Sequence, residues 1–141
     1  GEYSLRDFSR SARYFDVPFK FPAKFPMSTV SAARAYYWLH GQDCAKARQF
    51  ARAIFRAYWV DGRDISDLAV VSDIAANLGI DRDALAAGIA TPEIKERLKI
   101  ETDTAIARGM CGAPYFVVDG EPFWGADRLP QIEKWLQTGG F

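Results

Sequence analysis

Gly109-Met-Cys-Gly-Ala-Pro-Tyr-Phe-Val-Val-Asp-Gly120, followed by Glu121-Pro-Phe-Trp124, is where the pattern of the chain turns from helix to sheet. Gly109 stops the helical periodicity before it, and Pro114 fixes its own φ and carries no amide proton. Tyr115 to Val118 is a run of aromatic and β-branched residues, the side chains that fit a pleated surface. Asp119-Gly120 is the dipeptide a two-residue hairpin turn prefers, so Glu121 to Trp124 is expected to return antiparallel. Pro122 in the returning strand requires its nitrogen to face no neighbour, as at a sheet edge or a bulge. Tyr115 to Val118 reads as apolar on both faces, the pattern of a buried central strand. A lone hairpin is marginal in water, so the sheet needs strands beyond these two. Phe19-Lys20-Phe21 is the one other candidate, and its flanking prolines make it a poor ladder member.

Around this stretch the chain reads as helix. Leu129, Ile132, Trp135 and Leu136 mark a closing helix that ends at Gly139-Gly140. Upstream, Leu5, Phe8, Ala12 and Phe15 form the apolar stripe of a helix over about residues 3 to 15. Prolines at 18, 22 and 26 then demand an extended or looped connection. Ser28 and Thr29 are expected to cap a helix running to His40 and closed by Gly41, and Asp43 to cap the next, from about Ala45 to Val60. In that helix Phe50, Ala51, Ile54, Phe55 and Tyr58 make a wide apolar face. Ser66 is expected to open a helix carrying Leu68, Val71, Ile74, Ala75 and Leu78 up to Gly79. A short helix follows Asp81, and Thr91-Pro92 is an N-cap with proline at the first helical position of a helix running to about Arg108.

Composition bounds the function. The 141 residues suit one domain, and 18 basic against 18 acidic residues give zero formal net charge, without the basic footprint that binds nucleic acid. No apolar run approaches the length of a membrane span. Cys44 and Cys111 form no CxxC pair, which points to free thiols in a reducing, cytoplasmic setting. His40 is the single histidine, so a multi-histidine metal site is excluded; at a helix end its cationic form suits the helix dipole.

The segment from Gly109 to Gly120 resembles the cis-proline strand of thioredoxin-like proteins. Phe123-Trp-Gly-Ala-Asp-Arg-Leu129 narrows the likeness to the branch of the kappa-class glutathione transferases and the 2-hydroxychromene-2-carboxylate isomerases. Leu5-Arg-Asp-Phe-Ser-Arg-Ser-Ala-Arg13 and Val17-Pro-Phe-Lys-Phe-Pro-Ala-Lys-Phe-Pro26 resemble the isomerases just after their first βαβ unit. The implied fold is α/β, thioredoxin-like with a helical insertion: helix and proline-rich connection over 1–26, insertion over 27–108, cis-proline hairpin and closing helix over 109–141. The resemblance also accounts for the missing strands, since the family's opening strand, active-site helix and second strand are expected before Gly1. The family's catalytic serine belongs to that segment, so no residue here takes its role.

The resemblance implies glutathione as cofactor. Ala113, before a cis Pro114, would pair through its backbone with the cysteinyl part. The amides of Gly125 and Ala126, with the Asp127 carboxylate beside Trp124, would receive the γ-glutamyl end; Asp127 as an ordinary helix-start carboxylate is the competing reading. Phe25 would touch an aromatic substrate or simply pack in the core. Lys20, Lys24 and Arg34 either attract a substrate carboxylate or are solvated surface, and Cys111 is either a reactive thiol or a small buried hydrophobe. The implied activity is glutathione-dependent cis-trans isomerisation of 2-hydroxychromene-2-carboxylate-type aromatic acids. The alternatives are a kappa-like transferase or peroxidase, and a non-catalytic binding domain. The expected partners are an aromatic acid and either the upstream segment or another chain, as in a homodimer, to complete the sheet.

Overall fold

The computed structural model describes residues 2–141, which organise into two compact units, one running up to residue 98 and the other over 99–141. The first is helical: α1 (Glu2–Tyr14), α2 (Val30–His40), α3 (Cys44–Trp59), α4 (Leu68–Ala76), α5 (Arg82–Ala90) and the start of α6 (Pro92–Ala107). Its core gathers Ala35 and Leu39 of α2, Ala47, Phe50 and Ile54 of α3, Val71 and Ile74 of α4, and Leu85 and Ile89 of α5. These are the apolar positions at helical spacing, so burial of the stripes drives the packing.

The helix starts follow the carboxylates more closely than the hydroxyls. Asp43 accepts from the amides of Ala45 and Lys46 at 2.8 and 3.0 Å. These bonds, Lys46 first, hold its carboxyl below the ordinary value. Asp81 caps α5 by accepting from Ala84 N at 2.7 Å, and Thr91 Oγ1 accepts from Ile94 N at 3.4 Å at the head of α6. Two expectations are corrected. Thr29 occupies the N-cap position of α2, yet its side chain makes no cap bond. Ser66 does not open α4; Asp67 caps it by accepting from Ala69 N at 2.8 Å, because the Ser66 hydroxyl is already committed to Asp64.

The proline-rich connection makes no strand, so Phe19 to Phe21 adds nothing to the sheet. It is pinned where the Lys20 amide donates to Trp59 O at 2.6 Å, and its Phe25–Pro26 bond is cis. Phe8 of α1 meets Phe21, Phe25 and Trp59 with ring centroids 6.4, 6.2 and 6.1 Å away; Ala12 of the same stripe is half-buried, while Leu5, and Phe15 just beyond the helix end, are exposed.

The second unit holds the end of α6, the strands β1 (Tyr115–Val118) and β2 (Glu121–Trp124), a 3₁₀ turn (Ala126–Arg128) and α7 (Leu129–Thr138). β1 and β2 are antiparallel, Tyr115 opposite Trp124 and Val118 opposite Glu121, joined by Asp119 and Gly120 at φ 54° and 87°, the mirror-image turn whose twist suits a hairpin. Pro122 lies opposite Val117. In this register that pair exchanges no hydrogen bonds, so the missing amide proton costs the ladder nothing. α7 covers one face: Phe123 and Ile132 are buried, Trp135 meets Phe123 edge-on at 5.8 Å, and its indole N–H donates to Asp119 Oδ2 at 3.2 Å. The other face is open, with Val117 40% and Trp124 58% exposed. The expected double-sided burial of β1 is therefore not met by the described residues, whose sheet has two strands. No helix among the described residues is long and apolar enough to cross a membrane.

Candidate functional site

The hairpin brings two separated segments of sequence together. Gly125 N donates to Pro114 O at 3.0 Å, extending the ladder one pair beyond β1 and β2 and setting the Ala113–Pro114 peptide beside Trp124 and Gly125. That peptide bond is cis. Ala113 is exposed, and among the described residues neither its backbone N–H nor its C=O has a hydrogen-bond partner. Exposed main-chain groups of this kind are a ready donor and acceptor for an extended peptide-like ligand.

Glycines make the close approaches. A Cβ on Gly112 would lie 2.5 Å from Trp124 Nε1 and 2.9 Å from Cε2, so the indole rests on a surface only hydrogen can line. Gly125 has φ 111° and ψ 151°, a region essentially closed to other residues, and a Cβ there would overlap Asp127 Oδ1. The Asp127 carboxylate thus folds back over Gly125. It is 70% exposed on its side chain and 3.7 Å from Arg128 Nη2, a pair that solvent leaves weak. It caps no helix: the turn's N-cap is Gly125, with no side-chain cap bond. Of the sequence-derived candidates, Ala113, Pro114, Trp124, Gly125, Ala126 and Asp127 therefore converge within the second unit, with one correction: the Gly125 amide expected to receive the γ-glutamyl end is already spent on Pro114 O in the hairpin ladder.

Phe25 belongs to the first unit. It is 43% exposed, lies 5.3 Å from Phe21 and 5.9 Å from Trp59 by ring centroids, and lines a cavity of about 660 Å³ with Met27, Tyr36, Phe55 and Trp59. It thus combines core-like ring packing with a face open to a ligand. Lys24 is engaged, its ammonium 3.1 Å from both Asp64 Oδ2 and Ser66 Oγ. Bonds from the Ser66 hydroxyl and then Lys24 hold the Asp64 carboxyl below its ordinary value. Tyr58 donates to Lys24 O at 3.0 Å, and burial pushes its phenol up. Arg34 buries its Nε without a partner. Cys111 is exposed, against the buried alternative, and so is Cys44, both as free thiols. Cys44 Sγ lies 3.6 Å from His40 Nε2 at the end of α2.

Two features lie outside what residue types announce: in the second unit the unpartnered backbone of Ala113, and in the first the cavity beside Phe25. The backbone had only the Ala-Pro dipeptide as a signal. The cavity had the excess width of the apolar face on α3.

The DSBA-like thioredoxin domain family matches residues 1–137. The 2-hydroxychromene-2-carboxylate isomerase of Sphingobium xenophagum is 35% identical over 132 residues, covering 94% of this chain and 66% of that protein. The kappa 2 glutathione S-transferase of Caenorhabditis elegans is 27% identical, with 96% of this chain and 65% of that protein covered. A solved 2-hydroxychromene-2-carboxylate isomerase superposes with a TM-score of 0.81 at 27% identity, over 96% of this chain and 65% of its own. The chain spans just under two thirds of the length of these relatives.

Proposed function

Because the chain belongs to the DSBA-like thioredoxin domain family, we propose that it forms part of a glutathione-dependent isomerase acting on aromatic acids of the 2-hydroxychromene-2-carboxylate type. The observation that carries the reading is the free backbone donor and acceptor of exposed Ala113, set against Trp124 and the Gly125 to Asp127 turn. Similarity to relatives bearing the isomerase name supports the reaction.

The residues present fit the cofactor. A tripeptide with a peptide-like middle needs one main-chain donor and one acceptor, which Ala113 offers. Its γ-glutamyl end carries an ammonium and a carboxylate, which suit the Asp127 carboxylate and the amides of the turn that follows Gly125. Gly112 and Gly125 leave the room that the Trp124 indole and the Asp127 carboxylate occupy beside them. When bound, glutathione would supply a thiolate able to add to a conjugated carbon, turning a double bond into a rotatable single bond, and to leave again as the double bond re-forms. The protein's part is to orient. Ala113 fixes the cofactor's backbone direction, Asp127 anchors its far end, and Phe25 offers an aromatic edge to the substrate ring. We further propose that the open face and edge of the hairpin are completed by strands the described residues do not supply, from the same polypeptide or another chain, and that the protein works in the reducing cytoplasm, where Cys44 and Cys111 remain thiols.

A kappa-type transferase is the second reading, favoured by the 27% identity to the C. elegans enzyme. Stoichiometry separates them: isomerisation leaves the glutathione concentration unchanged, whereas conjugation to an aryl halide consumes it. Calorimetric titration of the complete protein with glutathione, followed by absorbance assay of chromene acid isomerisation with and without it, tests the proposal. Glutathione-independent turnover, or no glutathione binding at millimolar concentration, overturns it.

A further inference from the structure

The apolar face of α3 is wider than its core requires. Phe50, Ile54 and Tyr58 enter the core, but Phe55 is 64% exposed, and with Ala51 it walls the cavity beside Trp59. The opposite wall is one face of α2, where Thr29, Ala33 and Tyr36 stand at i, i+4 and i+7. Thr29 sits in an N-cap position and does not cap. Among the described residues neither its hydroxyl nor that of Tyr36 makes a hydrogen bond. The chain carries 36 charged residues among 141, yet none lines this cavity.

A concave space of about 660 Å³, apolar and ring-lined with two free hydroxyls, has the build of a small-molecule site. The wall's lack of charge decides what enters. An ionised carboxylate would lose hydration and find no charged partner on the wall itself, Arg97 lying over the ring of Tyr37 and not on the lining, so the lining favours a neutral occupant. We propose that this cavity in the helical unit binds a neutral planar aromatic molecule carrying one hydrogen-bonding group, its ring against Phe55 and Trp59 and its polar group at Thr29 or Tyr36. The proposal rests on the first unit alone; Phe25 is the one lining residue it shares with the proposed aromatic-acid contact, and the occupant differs from that substrate in charge.

The probes are 1-naphthol and, as its charged counterpart, 1-naphthoate, titrated into the complete protein without glutathione, by calorimetry and by tryptophan fluorescence. Naphthol is expected to bind and to quench, with naphthoate at least tenfold weaker, and Trp59→Phe should remove most of the quenching. Ala33→Leu and Ala51→Leu fill the cavity with good helix formers; each should weaken naphthol at least tenfold while the melting temperature holds or rises. No naphthol binding at its solubility limit overturns the proposal, as does equal affinity for both probes or unchanged affinity in both filled variants. Sedimentation of the same samples covers the remaining occupant: if the wild type takes no probe and filling dissociates a dimer, the cavity belongs to a second copy and the proposal fails.

Discussion

Gly88→Ala sets two effects of opposite sign against each other inside the helical unit. Gly88 lies in α5, where replacing glycine by alanine would ordinarily stabilise a helix by up to about 1 kcal/mol. Here an added Cβ would stand 2.5 Å from Trp38 Cδ1, and closer still to Nε1 and Cε2. Gly88 is buried and Trp38 packs against the core, so the indole cannot simply swing into water. Overpacking of this kind costs roughly 1 to 3 kcal/mol, and overlap with three ring atoms belongs at the upper end. The net expectation is a loss of about 2 kcal/mol, or on the order of 10 °C in melting temperature for a unit of this size. Urea unfolding followed by far-UV circular dichroism measures it, in the native background and in Trp38→Leu. In the second background the clash is gone, and alanine should become neutral or stabilising. If Gly88→Ala is as stable as the native protein, or loses the same amount in both backgrounds, the assigned α2–α5 contact is wrong.

Asp127→Ala should weaken glutathione binding to the complete protein by about 1.5 kcal/mol, roughly tenfold, the low end for a hydrogen bond to a charged group because this carboxylate is well solvated; calorimetry reads it, and the melting temperature should not move. Gly125→Ala forces alanine into a glycine-only conformation and should destabilise the second unit by roughly 1 to 3 kcal/mol, an effect Asp127→Ala does not relieve because the backbone angle remains; thermal melts of the single and double variants check it. Asp43 has a folded carboxyl held below its ordinary value, so its stabilisation is full above the unfolded pKa and fades as pH falls through the folded one. Asp43→Asn keeps the capping acceptor and cannot titrate, so it should match the native protein near neutral pH and lose less stability on acidification, as a series of denaturant curves from pH 7 to pH 3 would measure.

Much of the fold was legible because its signals are local. Asp43, Asp81 and Thr91-Pro92 open helices where the sequence places them, and Asp119-Gly120 turns the hairpin in the expected register. The corrections come from competition for the same group. Ser66 was a plausible cap, but Asp64 two residues earlier claims its hydroxyl, and Asp67 takes the helix start. Phe55 belonged to the apolar face by spacing, yet a face five residues wide exceeds what two neighbouring helices can cover. Burial is a property of the partner surface, which helical periodicity does not report. For the same reason β1, apolar along its whole length, keeps Val117 half open: strand composition states a demand for cover that the described residues do not meet.

The site was legible in a different sense, by conformation more than by chemistry. Pro114 and Gly125 are visible in sequence because their backbone requirements restrict residue type, whereas Ala113 contributes only main-chain atoms that any residue possesses. Its side chain is therefore a poor probe of its role. Replacing Ala113 by serine would leave the donor and acceptor in place, while changing Gly112 or Gly125 would move them through Trp124 and Asp127 without touching the ligand. On the proposed role of Ala113, a mutational map of this site should then show its largest effects at the two glycines and small ones at the residue whose backbone is proposed to bind. That inversion is what a half-site built from peptide groups implies, and a site built from side chains would give the opposite ranking.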